Sequence, residues 1–148
     1  MSNYLVSFTK RLLDIMFYIG ILFEISIPIL FKIIGRYIEA FHIYYIPQCI
    51  IYMISGILVL IIVYELRKMF ITVLNEDAFV DSNAISLKKM SKCSFIISIL
   101  SLARLPLSPT PATIVIMVVF VVAGLFSIVL CQVFQTAIQF KLENDLTI

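Results

Sequence analysis

Long apolar stretches alternate with more polar segments along the chain. Three of them, about residues 12–31, 46–64 and 113–133, are long enough, at about 1.5 Å of helix rise per residue, to cross a hydrocarbon core of roughly 30 Å. A fourth stretch, about residues 93–107, is shorter and contains Arg104. It is either a further span or a re-entrant or interfacial segment. The pattern predicts an all-α membrane fold whose topology depends on that fourth stretch.

The first apolar stretch follows Lys10 and Arg11, as the core of a secretory signal would. Its length, the presence of Asp14 and Glu24, and the absence of a small-residue cleavage pattern favour a retained helix instead. We therefore expect a four-helix transmembrane bundle.

Basic residues indicate the orientation, because Lys and Arg are enriched in short cytosolic loops. With four spans, eight basic residues fall on one side and three on the other. The eight are Lys10, Arg11, Arg67, Lys68, Lys88, Lys89, Lys92 and Lys141, and the three are Lys32, Arg36 and Arg104. This bias predicts that both termini are cytosolic. A three-span alternative would leave Lys141 on the far side.

The largest segment outside the predicted spans is residues 65–92. Apolar residues in its first part recur with the spacing of an amphipathic helix. Asn, Asp and Ser then interrupt the pattern, and Asp81, Ser82 or Asn83 is a candidate cap for a following helix. We predict a cytosolic helical hairpin between the second and third spans.

Composition agrees with a membrane protein: 62% of the residues are hydrophobic, 14% are charged and the mean hydropathy is +1.11, whereas a globular chain has about 25% charged residues. The net charge of +2 is too small and too scattered to predict direct nucleic-acid binding. Cys49, Cys93 and Cys131 lack metal-ligand spacing and are expected to be buried, and His42 is the single histidine. We expect no metal, cofactor or catalytic site.

Two charged residues are predicted to lie inside the membrane. Glu24 lies twelve residues above the inner end of the first span, and Arg104 lies twelve residues above Lys92 at the inner end of the third. Because an unpaired charge at the bilayer centre costs about 2.5–3.5 kcal/mol or more, we predict an ion pair between Glu24 and Arg104. A structural role for this pair is favoured over a proton or cation site.

Small residues recur at helical spacing on the third and fourth spans. Such faces let helix backbones approach closely in lipid, so we expect these two spans to form the tightest pair. A homodimer interface along the same stripe is equally compatible with the pattern. The small residues are Ser94, Ser98 and Ser101 on the third span, and Gly124, Ser127 and Cys131 on the fourth.

The chain resembles the YoaS-like family of small bacterial membrane proteins, whose domain is of unknown function. The resemblance rests on the four-span layout, on LRKMF followed by DAFVDSNAISLKKMSK, and on the terminal LENDLTI. It implies a multi-pass protein of the bacterial cytoplasmic membrane. Members of that family are often encoded beside a small helix-turn-helix regulator, which implies a membrane component of a regulatory pair. The resemblance supplies no catalytic residues.

These observations predict a non-enzymatic protein that binds or restrains a cytosolic helix-turn-helix transcriptional regulator. Alternatives from other classes are a small transporter or transporter subunit that uses Glu24, and an immunity protein against a membrane-active peptide. The candidate docking residues are Met69, Phe70, Phe79, Leu142 and Leu146.

Overall fold

The computed structural model describes residues 3–75 and 77–147, which form five helices and no strand. The prediction of an all-α fold is confirmed. The helices are α1 (Asn3–Ile34), α2 (Glu39–Ile43), α3 (Tyr45–Leu74), α4 (Asp81–Arg104) and α5 (Pro111–Thr147).

Two helix starts have clear local causes. At the start of α5, Thr110 Oγ1 accepts a hydrogen bond of 3.4 Å from the backbone N–H of Thr113, and Pro111 occupies the first helical position, where its missing N–H costs nothing. At the start of α4, Val80 is extended and provides no side-chain cap. The expectation that Asp81, Ser82 or Asn83 caps this helix was therefore wrong. Asp81 instead lies in the first turn, where its charge complements the helix dipole.

Neighbouring long helices are antiparallel and pack in chain order, α1 on α3, α3 on α4 and α4 on α5. Residues near the start of one helix meet residues near the end of the next. Phe17 lies beside Tyr64, whereas Tyr45 donates a hydrogen bond of 3.0 Å to the carbonyl of Pro28. Within the described residues, α1 packs neither on α4 nor on α5. The four long helices therefore form a curved row with a cleft between α1 and α5, and not a closed bundle.

The most buried of the long helices is α4, which lies between α3 and α5. Its serine hydroxyls bond to backbone carbonyls of α5, from Ser91 to Gly124 at 2.9 Å and from Ser98 to Met117 at 3.2 Å. The helix pair α4 and α5 has the most extensive packing in the fold. The expectation that the two small-residue faces form the tightest pair is confirmed, because short side chains allow this close approach.

Three helices, α1, α3 and α5, are long and apolar enough to cross a membrane, which indicates a membrane protein. By the same measure α4 is not a candidate span.

The row of helices has two ends. One end contains the start of α1, the α3–α4 connection and the end of α5, and we call it the tail end. The opposite end contains α2 and the turn before Pro111, and we call it the α2 end. The eight basic residues of the predicted cytosolic side lie toward the tail end.

All three cysteines are free and buried. Cys131 donates a weak hydrogen bond of 3.3 Å to the carbonyl of Ala84 and packs in a small core with Ala84 and Leu87. The prediction that the cysteines are buried is confirmed.

Candidate functional site

The candidate site is the last part of α5, residues 139–147, which we call the tail helix. Cys131 packs beside Ala84, three residues from the start of α4. The chain beyond Phe134 therefore continues past the start of α4, and thirteen further residues reach about 20 Å at 1.5 Å per residue. Every residue of the tail helix is exposed. The longest helix of the protein thus projects beyond the helices that support it.

An apolar stripe runs from the core onto the tail helix. Phe134 and Ile138 pack against the core of Ala84, Leu87 and Cys131. The stripe continues in steps of four residues to Leu142, which is 58% exposed, and to Leu146, which is 87% exposed. Residues four apart lie on one side of a helix. The tail helix therefore carries an apolar face that is continuous with the core but has no partner within the described residues.

Two contacts join α5 to the α3–α4 connection just before the stripe becomes exposed. The rings of Phe79 and Phe134 meet edge to face with their centroids 5.2 Å apart. Lys141 Nζ lies 3.0 Å from Asp77 Oδ1 in an exposed ion pair. Such a pair contributes at most about 1 kcal/mol, so the aromatic contact is the firmer of the two.

The structure separates the predicted docking residues into two groups. Met69 packs against the core below the tail helix, Phe70 is partly buried on α3, and Phe79 is 45% exposed but contacts Phe134. Leu142 and Leu146 are exposed and unpartnered among the described residues. The part of the predicted surface that is exposed and has no partner among the described residues is therefore on α5.

Buried polar groups at the tail end fasten α3 to α4. Glu65 is 3% exposed and accepts a hydrogen bond of 2.6 Å from Ser86, and its other neighbours are Lys68 Nζ at 2.9 Å and Lys89 Nζ at 3.6 Å. A carboxylate this deeply buried is stable only when it is paired. The role of Glu65 was not predicted from the sequence, although a single acidic residue on α3 followed by the paired lysines Lys88 and Lys89 on α4 was a usable signal.

A second polar cluster closes the α3–α4 connection. Asn83 is 2% exposed, and its Nδ2 donates hydrogen bonds of 2.7 Å to Thr72 Oγ1 and 2.7 Å to the carbonyl of Ala78. Asn83 therefore ties the connection to both helices, a role that the sequence analysis missed. These bonds fix the α3–α4 connection, beside which the tail helix projects.

The predicted ion pair between Glu24 and Arg104 is not formed, since no nitrogen and oxygen of the two side chains lie within 4.0 Å of each other. The physical reason is that α1 and α4 do not pack on each other within the described residues, and each side chain instead packs against α3. The carboxylate of Glu24 lies against the backbone of Gly56, with its Oε1 buried and without a hydrogen-bond donor. The guanidinium of Arg104 lies 4.5 Å from the ring centroid of Tyr52, one turn away on α3, and donates a hydrogen bond to Thr113.

No group of three or more His, Cys, Asp or Glu side chains within residues 3–75 and 77–147 is arranged to hold a metal ion.

A family model described as "Protein of unknown function (DUF2975)" matches residues 29–148. The match covers most of the chain, including α3, α4 and the tail helix. No curated protein and no solved structure matches the chain.

Proposed function

The chain belongs to the DUF2975 family, and we propose that it is a non-enzymatic membrane protein that binds a cytosolic protein through its tail helix. The observation that carries this proposal is the stripe from Phe134 to Leu146, which starts in the core and ends exposed. Exposed apolar faces that continue a packed core are typical of protein-interaction sites. A helix face with anchors four residues apart fits an apolar groove on a partner.

The partner that we propose is a helix-turn-helix transcriptional regulator, which the YoaS-like resemblance implies. Membership of the YoaS-like family is itself part of this proposal. Restraint of such a regulator needs a membrane-fixed docking element that faces the cytosol. The tail helix is suited to this role because Glu143 and Asp145 flank its leucines, and a DNA-binding partner carries basic surface.

The proposal includes four membrane crossings with both termini in the cytosol of a bacterium. Support comes from the packing of α4, which runs antiparallel between α3 and α5 and bonds to α5 along much of its length. If α3 and α5 cross the bilayer, α4 crosses with them. Five of its six serines, all but Ser82, are buried against the neighbouring helices. These serines lower its hydropathy without exposing hydroxyl groups to lipid.

A direct binding measurement tests the docking proposal. The full chain is purified in detergent and mixed with the purified product of a helix-turn-helix gene that lies beside its own; if no such gene is found there, the proposed partner is wrong. We expect a complex that is weakened at least about tenfold by the double change Leu142→Ala and Leu146→Ala. A matched control is Leu5→Ala, since Leu5 is 64% exposed near the same end of the protein but lies on α1.

A promoter reporter in cells supplies the second readout. Deletion of the membrane protein and the double leucine change should alter expression of the regulator's target in the same direction, whereas Leu5→Ala should not. Unchanged expression in all strains, together with no complex in detergent, would overturn the proposal.

A second candidate function, a small transporter, is favoured by one observation. The Oε1 atom of Glu24 is buried without a hydrogen-bond donor beside Gly56, and ionisable groups at such depth frequently belong to proton or ion pathways. Flux into proteoliposomes that is abolished by Glu24→Gln would support this function. Absence of flux, or flux that survives Glu24→Gln, would contradict it.

A further inference from the structure

The cleft between α1 and α5 contains a cavity of about 270 Å³ near the α2 end. The floor is formed by α3 and α4, while α1 and α5 form the sides without packing on each other. The cavity therefore opens sideways, toward the medium that surrounds the helices. The residues that matter for its chemistry are Tyr52, Ser55, Ile97, Arg104, Ile116 and Phe120.

Arg104 is the charged group of this cavity. Its side chain is 7% exposed, and its nearest polar partners are the Thr113 hydroxyl and the face of the Tyr52 ring. Its Nε atom is buried without a hydrogen-bond partner, and no carboxylate oxygen lies within 4.0 Å of the guanidinium. A buried cation with an unused donor is costly unless an anion or acceptor reaches it. Arg104 is thus an incomplete site facing a cavity.

The cavity changes from polar to apolar along its length. Arg104 is the last residue of α4, so Ile97, seven residues earlier, lies about 10 Å deeper along the helix. Phe120 lies seven residues beyond Thr113 on the antiparallel helix α5, at a similar depth. The cation therefore lies toward the α2 end, and the walls below it are mainly aliphatic and aromatic. The polar groups there are the hydroxyls of Ser55 and Ser101 and the Glu24 carboxylate, which lies against Gly56 in the wall formed by α3. A cation above mainly apolar walls matches the polarity of an amphiphile with an anionic head at the end of a hydrocarbon chain.

We propose that this cleft binds an anionic phospholipid, with the headgroup phosphate on Arg104 and part of one acyl chain along Ile97 and Phe120. A guanidinium suits phosphate because its N–H donors match two phosphate oxygens. The cleft is open on the side that faces lipid when α1 and α5 cross the membrane, so a lipid enters without passing through water. The proposal is independent of the tail helix and of any cytosolic partner.

Native mass spectrometry of the full chain in detergent tests the assignment. The wild-type protein, offered phosphatidylglycerol and phosphatidylcholine in equal amounts, should retain one phosphatidylglycerol preferentially. Arg104→Gln should reduce that retention about tenfold or more. Ile116→Trp should do the same, because Ile116 lines the cleft and a larger side chain there fills the space for the acyl chain while leaving the guanidinium intact. Ile114→Trp is the matched control, since Ile114 is 50% exposed on α5 and does not line the cavity.

Three results would overturn the proposal. One is equal retention of the two lipids by the wild-type protein. Another is retention of phosphatidylglycerol that Ile116→Trp does not reduce, and this result is decisive even if Arg104→Gln fails to fold. The third is displacement of the lipid by inorganic phosphate alone at a similar concentration, which would identify a simple anion site without a role for the acyl chain.

Discussion

Glu24 on α1 and Gly56 on α3 pack so closely that a β-carbon at position 56 would overlap the Glu24 carboxylate. The absence of a side chain at this one position allows a carboxylate to lie between two membrane helices. Glycine therefore leaves room here for the Glu24 carboxylate, and it is not needed for an unusual backbone conformation.

We expect Gly56→Ala to destabilise the protein by up to about 1 kcal/mol, the low end of the usual cost of overpacking, because the atoms in the way are the flexible end of the Glu24 side chain, which must swing away from α3. Thermal unfolding in detergent measures the effect. In a Glu24→Ala background the same change should be neutral or stabilising, because the carboxylate is gone and alanine favours helix over glycine. The control is Ile57→Ala, at a position that is 50% exposed. Equal costs of Gly56→Ala in both backgrounds would contradict the proposed contact.

Ser86→Ala should reduce stability by about 1.5–3 kcal/mol, because it removes a hydrogen bond to the buried Glu65 carboxylate. The remaining neighbours of the Glu65 carboxylate are the ammonium groups of Lys68 and Lys89, whose side chains are partly exposed. They do not replace the short buried hydrogen bond from Ser86. Ser82→Ala is a matched control, since Ser82 lies on the same helix but is exposed. Denaturation in detergent compares the two variants, and equal stability would argue against a role for Glu65 in joining α3 to α4.

The sequence was sufficient to predict helices, buried cysteines and the small-residue contact between α4 and α5, because each depends on local periodicity and on residue size. It was not sufficient to predict which helices are neighbours. Equal depth suggested that Glu24 and Arg104 meet, but depth along a helix carries no information about the face or the neighbour. In the structure α1 and α4 do not pack on each other within the described residues, and the two side chains contact α3 at positions one turn apart.

The candidate docking residues illustrate the same limit. Apolar residues at helical spacing mark a packed face whether the partner is the protein's own core or another protein. Met69 packs inside the fold, whereas Leu142 and Leu146, with the same spacing signal, project beyond it. The difference comes from the lengths of α4 and α5, which the apolar pattern alone does not determine.

The tail helix and the core below it should therefore respond differently to loss of a leucine. Leu87→Ala should cost about 2–5 kcal/mol, because Leu87 is 3% exposed in the core and leaves a cavity. Leu146→Ala should change stability by less than about 0.5 kcal/mol, since Leu146 is 87% exposed. Both variants are compared by thermal unfolding in detergent without any partner. A large cost for Leu146→Ala would show that the tail helix packs on the protein itself, and would remove the basis for docking there.

Labelling of single cysteines from the two sides of the membrane tests the topology, and α4 is the critical element. The native cysteines are buried, and replacing them with serine gives a background in which only the introduced cysteine reacts with the maleimide. Tyr37→Cys and Pro109→Cys place thiols at exposed positions of the α2 end, and Leu146→Cys places one on the tail helix. We expect a membrane-impermeant maleimide to label positions 37 and 109 in intact cells, and position 146 only after permeabilisation. Residues 37 and 109 flank the α3–α4 hairpin in the chain, so labelling of both from outside requires that α4 crosses whenever α3, which is long and apolar enough to span, crosses. If α4 does not cross, position 109 is labelled only after permeabilisation and position 146 is labelled in intact cells, and that result would show that the four-span arrangement is wrong.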